Sequence, residues 1–357
     1  NRKGTQLHES RSIRIACLAG EQWLTPQDDL TRVLKQGEFW ELPHLQIDLQ
    51  GMPWLFARHL LMRQPDTPLE GPIDLALWEI QATRFDGSHW TEPMYLPRSS
   101  GRNDMMPSTA LAGNGSVWAT WPTDLRNTKS FLPHHLQLQL GKLAEVNTET
   151  PFAMKAYRPE PAPFRPFKLK ETEHVQAIRA YTIQNSGKTY SLFRGDLHRH
   201  TDISVDGNND GSLLDAYRYA RDAAALDFLG ITDHTDAVED PYAWWRSQKM
   251  ADLFQKKNSF VSFYGYERSV EYPNGHRNVF FAKRGARILP IGAFEQVGVE
   301  GSGGLYWYLR RANGFSIPHT TGRTSGTDWR DYDPNVESLL EIFQGMRDSY
   351  EYPEAPR

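Results

Sequence analysis

Two histidines, His198 and His200, stand one residue apart at the end of an apolar run that is typical of a buried strand. Residues i and i+2 of a strand point to the same face, so we expect the two imidazoles side by side at its carboxyl end. A second apolar run, Phe228 to Thr232, ends in Asp233 and His234. Imidazoles and carboxylates at the ends of neighbouring parallel strands are typical donors of a multinuclear metal site. The spacing therefore predicts a site that binds metal ions.

Further candidate ligands follow in the same pattern. Asp206 lies in the loop after the first pair, Glu267 ends the predicted strand Phe260–Tyr266, His276 opens a strand, and His319 follows the strand Phe315–Pro318. One such residue alone is more often structural than metal-binding. Six strand ends that each deliver a histidine, aspartate or glutamate favour a metal site, and a site rich in imidazole selects Zn, Mn or Fe over Mg or Ca.

The elements that must position these side chains alternate in type. Two β-like runs around the turn 185–187 predict a hairpin just before the histidine strand. These runs are Val175–Ile183 and Lys188–Phe193. Helical periodicity falls between the later strands, over Leu213–Ala224 after the start signal Ser212, over Tyr242–Phe254 and over Leu305–Ala312. Leu339–Phe343 is predicted to be one more strand. This alternation predicts a parallel barrel or sheet that carries its chemistry at the strand ends.

Residues 1–145 are predicted to be all-β, with an internal repeat. Three residues, Pro43, Gly51 and Trp54, recur 64 positions later as Pro107, Gly115 and Trp118. A repeat of that length suits a four-stranded propeller blade, and the turn at Asp86 resembles the Asp-box turns of sialidase-like propellers. About two blades fit, whereas a closed propeller needs at least about four. The proline-rich segment 146–172 is predicted to be an extended linker, and 173–357 a second domain that carries the candidate metal ligands.

Composition excludes several classes of protein. A formal net charge of -4 gives no general electrostatic reason to bind nucleic acid. One cysteine, Cys17, excludes an internal disulfide framework. No run approaches the ~18 apolar residues of a spanning helix. The first residues contain no apolar core of a signal peptide, and a cytoplasmic, periplasmic or secreted location stays open.

Several motifs together resemble a known superfamily. DLHRHTDISVDG at 196–207 and ITDH at 231–234 resemble the first motifs of the polymerase-and-histidinol-phosphatase (PHP) superfamily of metallohydrolases. GYE at 265–267, GHRNVFF at 275–281 and IPH at 317–319 are similar to its middle motifs. The sequences of these motifs resemble those of a multi-domain bacterial branch described as a domain of unknown function. The resemblance covers about residues 190–357 and extends more loosely over 40–130.

The resemblance implies a distorted (β/α)7 barrel with two or three divalent transition metals. It implies that His198 and His200 hold one ion, that Glu267 bridges it to a second ion completed by His276 and His319, and that Asp206 and His234 belong to a third. Asp233 would orient a ligating imidazole. Three arginines, Arg199, Arg277 and Arg323, are candidates for clamping substrate oxygens, with a surface or structural role as the alternative for each.

Three functions remain open at this level. A water that bridges two divalent cations is deprotonated near neutral pH and can attack a phosphorus in line, which favours a phosphoesterase for a small-molecule substrate. The same hydroxide can attack the carbonyl carbon of a carbamate, ester or amide. A non-catalytic binding protein with a relic barrel is the third hypothesis, and the intact ligand motifs argue against it.

The resemblance also implies a ligand pair that this sequence does not contain. The family carries an Asp-x-His pair on a final strand, whereas His319 is the last histidine here. The strand at Leu339–Phe343 would also need a neighbour to close the barrel. We therefore expect a C-terminal segment of the same protein to complete the site.

Overall fold

The structure is a computed structural model, and it describes residues 12–35, 40–62, 76–101, 106–123, 137–143, 152–158, 170–201, 203–204, 211–238, 241–291, 302–320, 326–344 and 347–348. The chain divides into two compact units, Asn1–Phe167 and Lys168–Arg357. Their boundary falls inside the segment 146–172 that the sequence predicts to be a linker. The fold is of the mixed α/β class, as predicted, and sheets predominate over helices.

The described part of the first unit consists of short antiparallel sheets. Its strands are β1 (Cys17–Ala19), β2 (Gln22–Pro26), β3 (Trp40–Ile47), β4 (Pro53–Met62), β5 (Ala76–Arg84), β6 (Met94–Tyr95), β7 (Ser108–Leu111), β8 (Val117–Thr123), β9 (Gln137–Lys142) and β10 (Met154–Ala156). They form sheets of order β1-β2-β10, β3-β4-β5-β6 and β7-β8-β9, with one 3-10 turn at Leu30–Arg32. Two buried apolar clusters, one around Trp40 and Trp90 and the other around Trp54 and Trp121, form the core.

The internal repeat corresponds to two matching hairpins. In the β3–β4 turn the backbone N–H of Gly51 donates to the carbonyl of Asp48, and in the β7–β8 turn that of Gly115 donates to Ala112. Both glycines have a positive φ, of 79° and 88°, which residues with a side chain rarely adopt. The repeated glycine therefore preserves a turn geometry. The propeller-like arrangement of these sheets stays a prediction.

The predicted linker is wrong in one place. Residues 154–156 form β10, which pairs antiparallel with β2, although the prolines of this segment were expected to exclude a β ladder. The prolines begin again only at Pro159, so the backbone N–H groups of the three strand residues are free to join the ladder.

The second unit opens with helix α1 (Glu171–Ala180) and the hairpin of β11 (Thr182–Asn185) and β12 (Lys188–Ser191). The hairpin is confirmed, but the predicted strand Val175–Ile183 is helical over most of its length. Glu171 and Glu173 lie in the first turn of α1, where negative charge is stabilised by the helix dipole. These local preferences outweigh the β-branched residues on which the prediction rested.

A five-stranded sheet forms the centre of this unit. Its strands, in order across the sheet, are β13 (Gly195–Arg199), β14 (Phe228–Ile231), β15 (Val261–Arg268), β16 (Arg277–Phe281) and β17 (Gly314–Pro318). Helices α2 (Leu213–Arg218, continued by a π turn at 219–223), α3 (Thr235–Val238), α4 (Pro241–Phe254) and α5 (Gly303–Ala312) connect them. The start signal at Ser212 is confirmed, since Ser212 is the N-cap of α2 and forms a capping box with Asp215. The predicted end of α5 after Ala312 is also confirmed, and Asn313 follows it in the left-handed conformation.

The expectation of an all-parallel sheet is wrong at β16. Strands β13, β14 and β15 are parallel, but β16 is antiparallel to both β15 and β17. Only eight residues, 269–276, connect β15 to β16, which is too short for a parallel crossover of a dozen or more residues. The amino end of β16 consequently lies at the same edge as the carboxyl ends of the other four strands.

The sheet is curled into a half-barrel. The side-chain amide of Asn278 in β16 donates to the carbonyl of Leu197 in β13, at 3.1 Å, although two strands lie between them in the sheet. Phe280 fills the concave side against Gly230 and Gly265, where an added Cβ would lie 2.4 Å and 2.6 Å from its ring. The two small residues thus allow the sheet to close around an aromatic ring.

Leu339–Phe343 is not the predicted barrel strand. Its residues 339–342 are outside regular structure, and Phe343–Gln344 (β18) pairs only with Arg347–Asp348 (β19) among the described residues. The segment 336–341 instead runs beside β17 through two separate backbone hydrogen bonds, from Ser316 to Val336 and from Glu341 to Pro318. Two isolated bonds do not make a ladder.

Candidate metal centre

Five histidines and one glutamate meet at the edge of the curled sheet where β13, β14, β15 and β17 end and β16 begins. Each comes from a different place along that edge. His198 lies in β13, His200 directly follows it, His234 follows β14, Glu267 is the penultimate residue of β15, His276 precedes β16 and His319 follows β17. The reversal of β16 is the reason that a histidine before a strand joins ligands that follow strands.

Glu267 is the centre of this arrangement, and its side chain is 2% exposed. Its two carboxylate oxygens face different imidazoles. Oε2 lies 2.9 Å from His200 Nε2, 3.4 Å from His198 Nε2 and 3.9 Å from His234 Nε2. Oε1 lies 2.9 Å from His276 Nδ1 and 3.3 Å from His319 Nε2. One carboxylate thus faces nitrogen atoms from five imidazoles.

The imidazoles form a closed ring around this carboxylate. Neighbouring ring centroids are 4.3 Å apart for His198 and His319, 5.8 Å for His319 and His276, 6.3 Å for His276 and His234, 4.8 Å for His234 and His200, and 5.3 Å for His200 and His198. Such crowding brings several nitrogen lone pairs into a small volume, which is the arrangement that metal binding requires.

Among the described residues, two groups have donor atoms close enough to hold an ion each. One comprises His198, Glu267 and His319, and the other comprises His200, His234 and Glu267. Glu267 is common to both, as the resemblance implies for a bridging ligand. The grouping of the histidines differs from the implied one, which paired His198 with His200 and His276 with His319. His276 contacts the shared carboxylate but belongs to neither group.

Burial and ion pairing act in opposite directions on these groups. Burial raises the pKa of Glu267, but hydrogen bonds from four histidines lower it well below its usual value. Burial lowers the pKa of His198, but the hydrogen bonds to Glu267 and Glu341 together outweigh burial and raise the pKa to about 9. At His319, which is fully buried, burial dominates and lowers the pKa to about 4. The His319 imidazole is therefore neutral at pH 7 and able to donate its lone pair.

The donor set fits a divalent transition metal. Imidazole nitrogens with a carboxylate suit Zn, Mn and Fe, whereas Mg and Ca prefer oxygen ligands. The residues present therefore fit the ions that the sequence predicts.

The second nitrogens of His234 and His198 both have hydrogen-bond partners. The Nδ1 of His234 lies 2.6 Å from the Ser269 hydroxyl, and the Nδ1 of His198 lies 2.8 Å from Oε2 of Glu341. Sequence reasoning assigned neither partner a role. The signal for Glu341 was its position as the single polar residue in the apolar run 339–343.

Asp233 holds the chain just after His200. Its two oxygens accept hydrogen bonds from the backbone N–H and the hydroxyl of Thr201, at 2.7 Å and 2.8 Å. Its expected role in orienting an imidazole stays a prediction. Its backbone carbonyl accepts from the N–H of Glu267. Burial raises the pKa of Asp233. Asp233 therefore fixes the chain just after His200.

Arg277 is buried in an ion pair. It is 1% exposed, and its guanidinium donates to Glu337 at 2.7 Å and to the Tyr306 hydroxyl at 3.2 Å. These contacts favour the structural alternative for Arg277, and a contact with substrate stays a prediction. Arg199 is half-buried at the last position of β13, where its role with substrate stays a prediction. Arg323 and Asp206 lie outside the described residues.

No helix in the described parts of the chain is long and apolar enough to cross a membrane.

The expectation that a C-terminal segment completes the site stays a prediction. Among protein-family models, curated proteins and solved structures, none matches this chain. The arrangement of the five imidazoles around Glu267 is therefore the observation from which a function is proposed.

Proposed function

We propose that the chain is a metal-dependent hydrolase of the PHP type, and that it hydrolyses phosphoesters. The observation that carries this proposal is the sharing of Glu267 between two ligand groups. A carboxylate common to two sites brings two ions close together, and paired ions about 3.5–4 Å apart are typical of phosphatases and nucleases. When bound, such ions would activate a water and neutralise charge on the substrate oxygens.

The curled sheet supports the PHP assignment. Ligands from five consecutive strands meet at one edge, as they do at the catalytic face of a barrel. The proposal extends the half-barrel to a distorted (β/α)7 barrel of which β13–β17 form the larger part. A third ion, which the resemblance assigns to Asp206 and His234, is part of the proposal and depends on a residue outside the described ones.

The residues of the chain have separate tasks in this proposal. Glu267 supplies the negative charge that holds two cations together, and it is kept ionised by its histidine contacts. Five histidines supply imidazole nitrogens: His198, His200, His234, His276 and His319. His198, whose pKa is raised, would lose a proton on binding an ion. Asp233 and Thr201 fix the segment that carries His200. Arg199 is the remaining described candidate for contacting an anionic substrate.

Charge favours a phosphoester over a neutral carbonyl substrate. Two divalent ions carry four positive charges, and the ligand groups of the described residues contain a single carboxylate. The excess of positive charge attracts an anion and stabilises the charge that develops on phosphoryl oxygens. A carbamate, ester or amide gains less from the same field. These substrates remain the alternative outcome of the test, as does a protein that binds without turnover.

The test is a substrate panel with metal-reconstituted protein. The panel contains p-nitrophenyl phosphate, bis-p-nitrophenyl phosphate, p-nitrophenyl acetate and a p-nitrophenyl carbamate, each with Zn, Mn or Fe and with metal-free protein. We expect metal-dependent release of nitrophenol from a phosphoester. Turnover of only the acetate or carbamate would replace phosphoester by carbonyl hydrolysis, and no turnover with both ions bound would contradict the enzyme proposal.

A further inference from the structure

Glu341 lies where the chain returns to the first strand of the curled sheet. Its backbone N–H donates to the carbonyl of Pro318 at 3.0 Å, immediately before His319. Its side chain reaches His198 in β13, at the opposite edge of the sheet, and it is 22% exposed. Glu341 thus connects the last strand of the half-barrel to the first, beside the five imidazoles that surround Glu267.

The contact with His198 involves the nitrogen that faces away from the centre. Oε2 of Glu341 lies 2.8 Å from Nδ1 of His198, and Nε2 of the same imidazole lies 3.4 Å from Oε2 of Glu267. A carboxylate that accepts the Nδ1 proton leaves the lone pair of Nε2 available to an ion bound at the shared carboxylate. The two glutamates therefore lie on opposite sides of the same imidazole.

We propose that Glu341 is a positioning residue for the group formed by His198, Glu267 and His319. It fixes the Nε2-donor tautomer of His198, limits rotation of the ring and adds negative charge that makes the imidazole a stronger donor. This inference rests on the proposed metal centre. Partners of this kind typically change metal affinity by about 10–100-fold.

The other ligand group has a different support. His234 contacts the neutral hydroxyl of Ser269 at 2.6 Å, where His198 has a carboxylate. A carboxylate increases the donor strength of imidazole more than a hydroxyl does, because it polarises the N–H bond more strongly. Removing the charge of Glu341 is therefore expected to weaken the binding of one ion and to leave the binding of the other nearly unchanged.

The experiment compares wild-type protein with Glu341→Gln, Glu341→Asp and the control Glu271→Gln. The control removes one negative charge from an exposed position in the same unit. Binding of Zn to metal-free protein is followed by chelator competition, without substrate. Nitrogen NMR of the imidazoles reads the tautomer of His198, and thermal unfolding checks the fold.

The expected result is two Zn equivalents in wild type, and a loss of about 10–100-fold in the affinity of one equivalent in Glu341→Gln. Glu341→Asp should show the same loss, because its shorter side chain withdraws the carboxylate from Nδ1, and it provides the answer if the Gln variant does not fold. Glu271→Gln should bind like wild type.

Unchanged affinities and an unchanged His198 tautomer in both Glu341 variants would overturn this inference alone. The wild-type protein could bind two Zn ions tightly and Glu341→Gln could show the predicted loss of affinity, without turnover of any phosphoester. That outcome would uphold the inference on Glu341 and contradict the phosphoesterase proposal. Failure of wild-type protein to bind Zn would overturn both. The metal-binding readout thus separates the two proposals.

Discussion

His198 and His319 come from the two outermost strands of a five-stranded sheet, yet their ring centroids lie 4.3 Å apart. In an open sheet those strands would be separated by three others, at about 4.8 Å per strand. The contact is therefore a direct measure of how far the sheet curls. Glu267, on the middle strand, completes the triangle, so the donor atoms of one candidate ion come from both edges and the centre.

Metal removal should destabilise the protein. We expect at least about one equivalent of Zn, Mn or Fe per chain by elemental analysis, because imidazole-rich sites select these ions. Stripping the metal should lower Tm, since a ligand at a thousand times its Kd stabilises the folded state by about 4 kcal/mol. Less than about 0.1 equivalent after purification without chelator, with no recovery of Tm on adding Zn, would contradict the metal site.

Replacing Glu267 by Gln should abolish hydrolysis. The substitution removes the one charge that is common to both ligand groups but changes side-chain volume little, so the secondary structure should persist. Turnover and circular dichroism measure the two effects. Asp86→Ala is the control, because Asp86 caps a turn of the first unit through the N–H groups of Ser88 and His89. Wild-type turnover in Glu267→Gln would show that the site has been placed wrongly.

Arg277→Met should destabilise the fold by about 3–5 kcal/mol, because it leaves the buried carboxylate of Glu337 without its cation. Chemical denaturation of the second unit measures the loss. Adding Glu337→Gln to the same variant should recover part of that stability, since the uncompensated charge is then gone. If Arg277→Met instead kept wild-type stability and raised KM, the clamp role expected from sequence would be restored.

Stability of the first unit should depend on the protonation of His44. Burial lowers the pKa of His44 below its usual 6.5, and its Nε2 lies 2.7 Å from the Thr109 hydroxyl, on a strand of another sheet. As pH falls below about 6.5, the unfolded chain takes up a proton before the folded chain does, so the free energy of unfolding declines. Above that pH, protonation of His44 should no longer change the free energy of unfolding.

Replacing His44 by Gln should remove this contribution to the pH dependence of unfolding, which urea titrations at pH 7.5, 6.5 and 5.5 would measure. NMR titration of the His44 ring gives the pKa directly. A folded-state pKa at or above 6.5 would contradict the assigned direction.

The sequence predicted the parts of the fold that depend on local pattern. The start of α2 after Ser212, the end of α5 after Ala312 and the strand carrying His198 can all be predicted from neighbouring residues. The meeting of histidines at one edge followed from the rule that strand ends align. Each of these inferences needs only a few residues of context.

Features that depend on distant contacts were missed. The place of Glu341 follows from a backbone contact with Pro318, 23 positions earlier in the chain. No local pattern contains such a contact. Two other misses were local: the reversal of β16 follows from its eight-residue connection, which is too short for a parallel crossover, and helix α1 follows from the propensities of its own residues.

The contact between His198 and Glu341 joins residues 143 positions apart, and it has a consequence for the order of folding. Contacts of such high sequence separation form slowly, because the entropy of closing the intervening loop must be overcome first. A growing chain exposes His198 and His200 long before residue 341 is synthesised. The imidazole pair can then meet transition metals while the rest of the cage is missing. Selection among competing ions would therefore belong to the completed fold and not to the first pair of histidines.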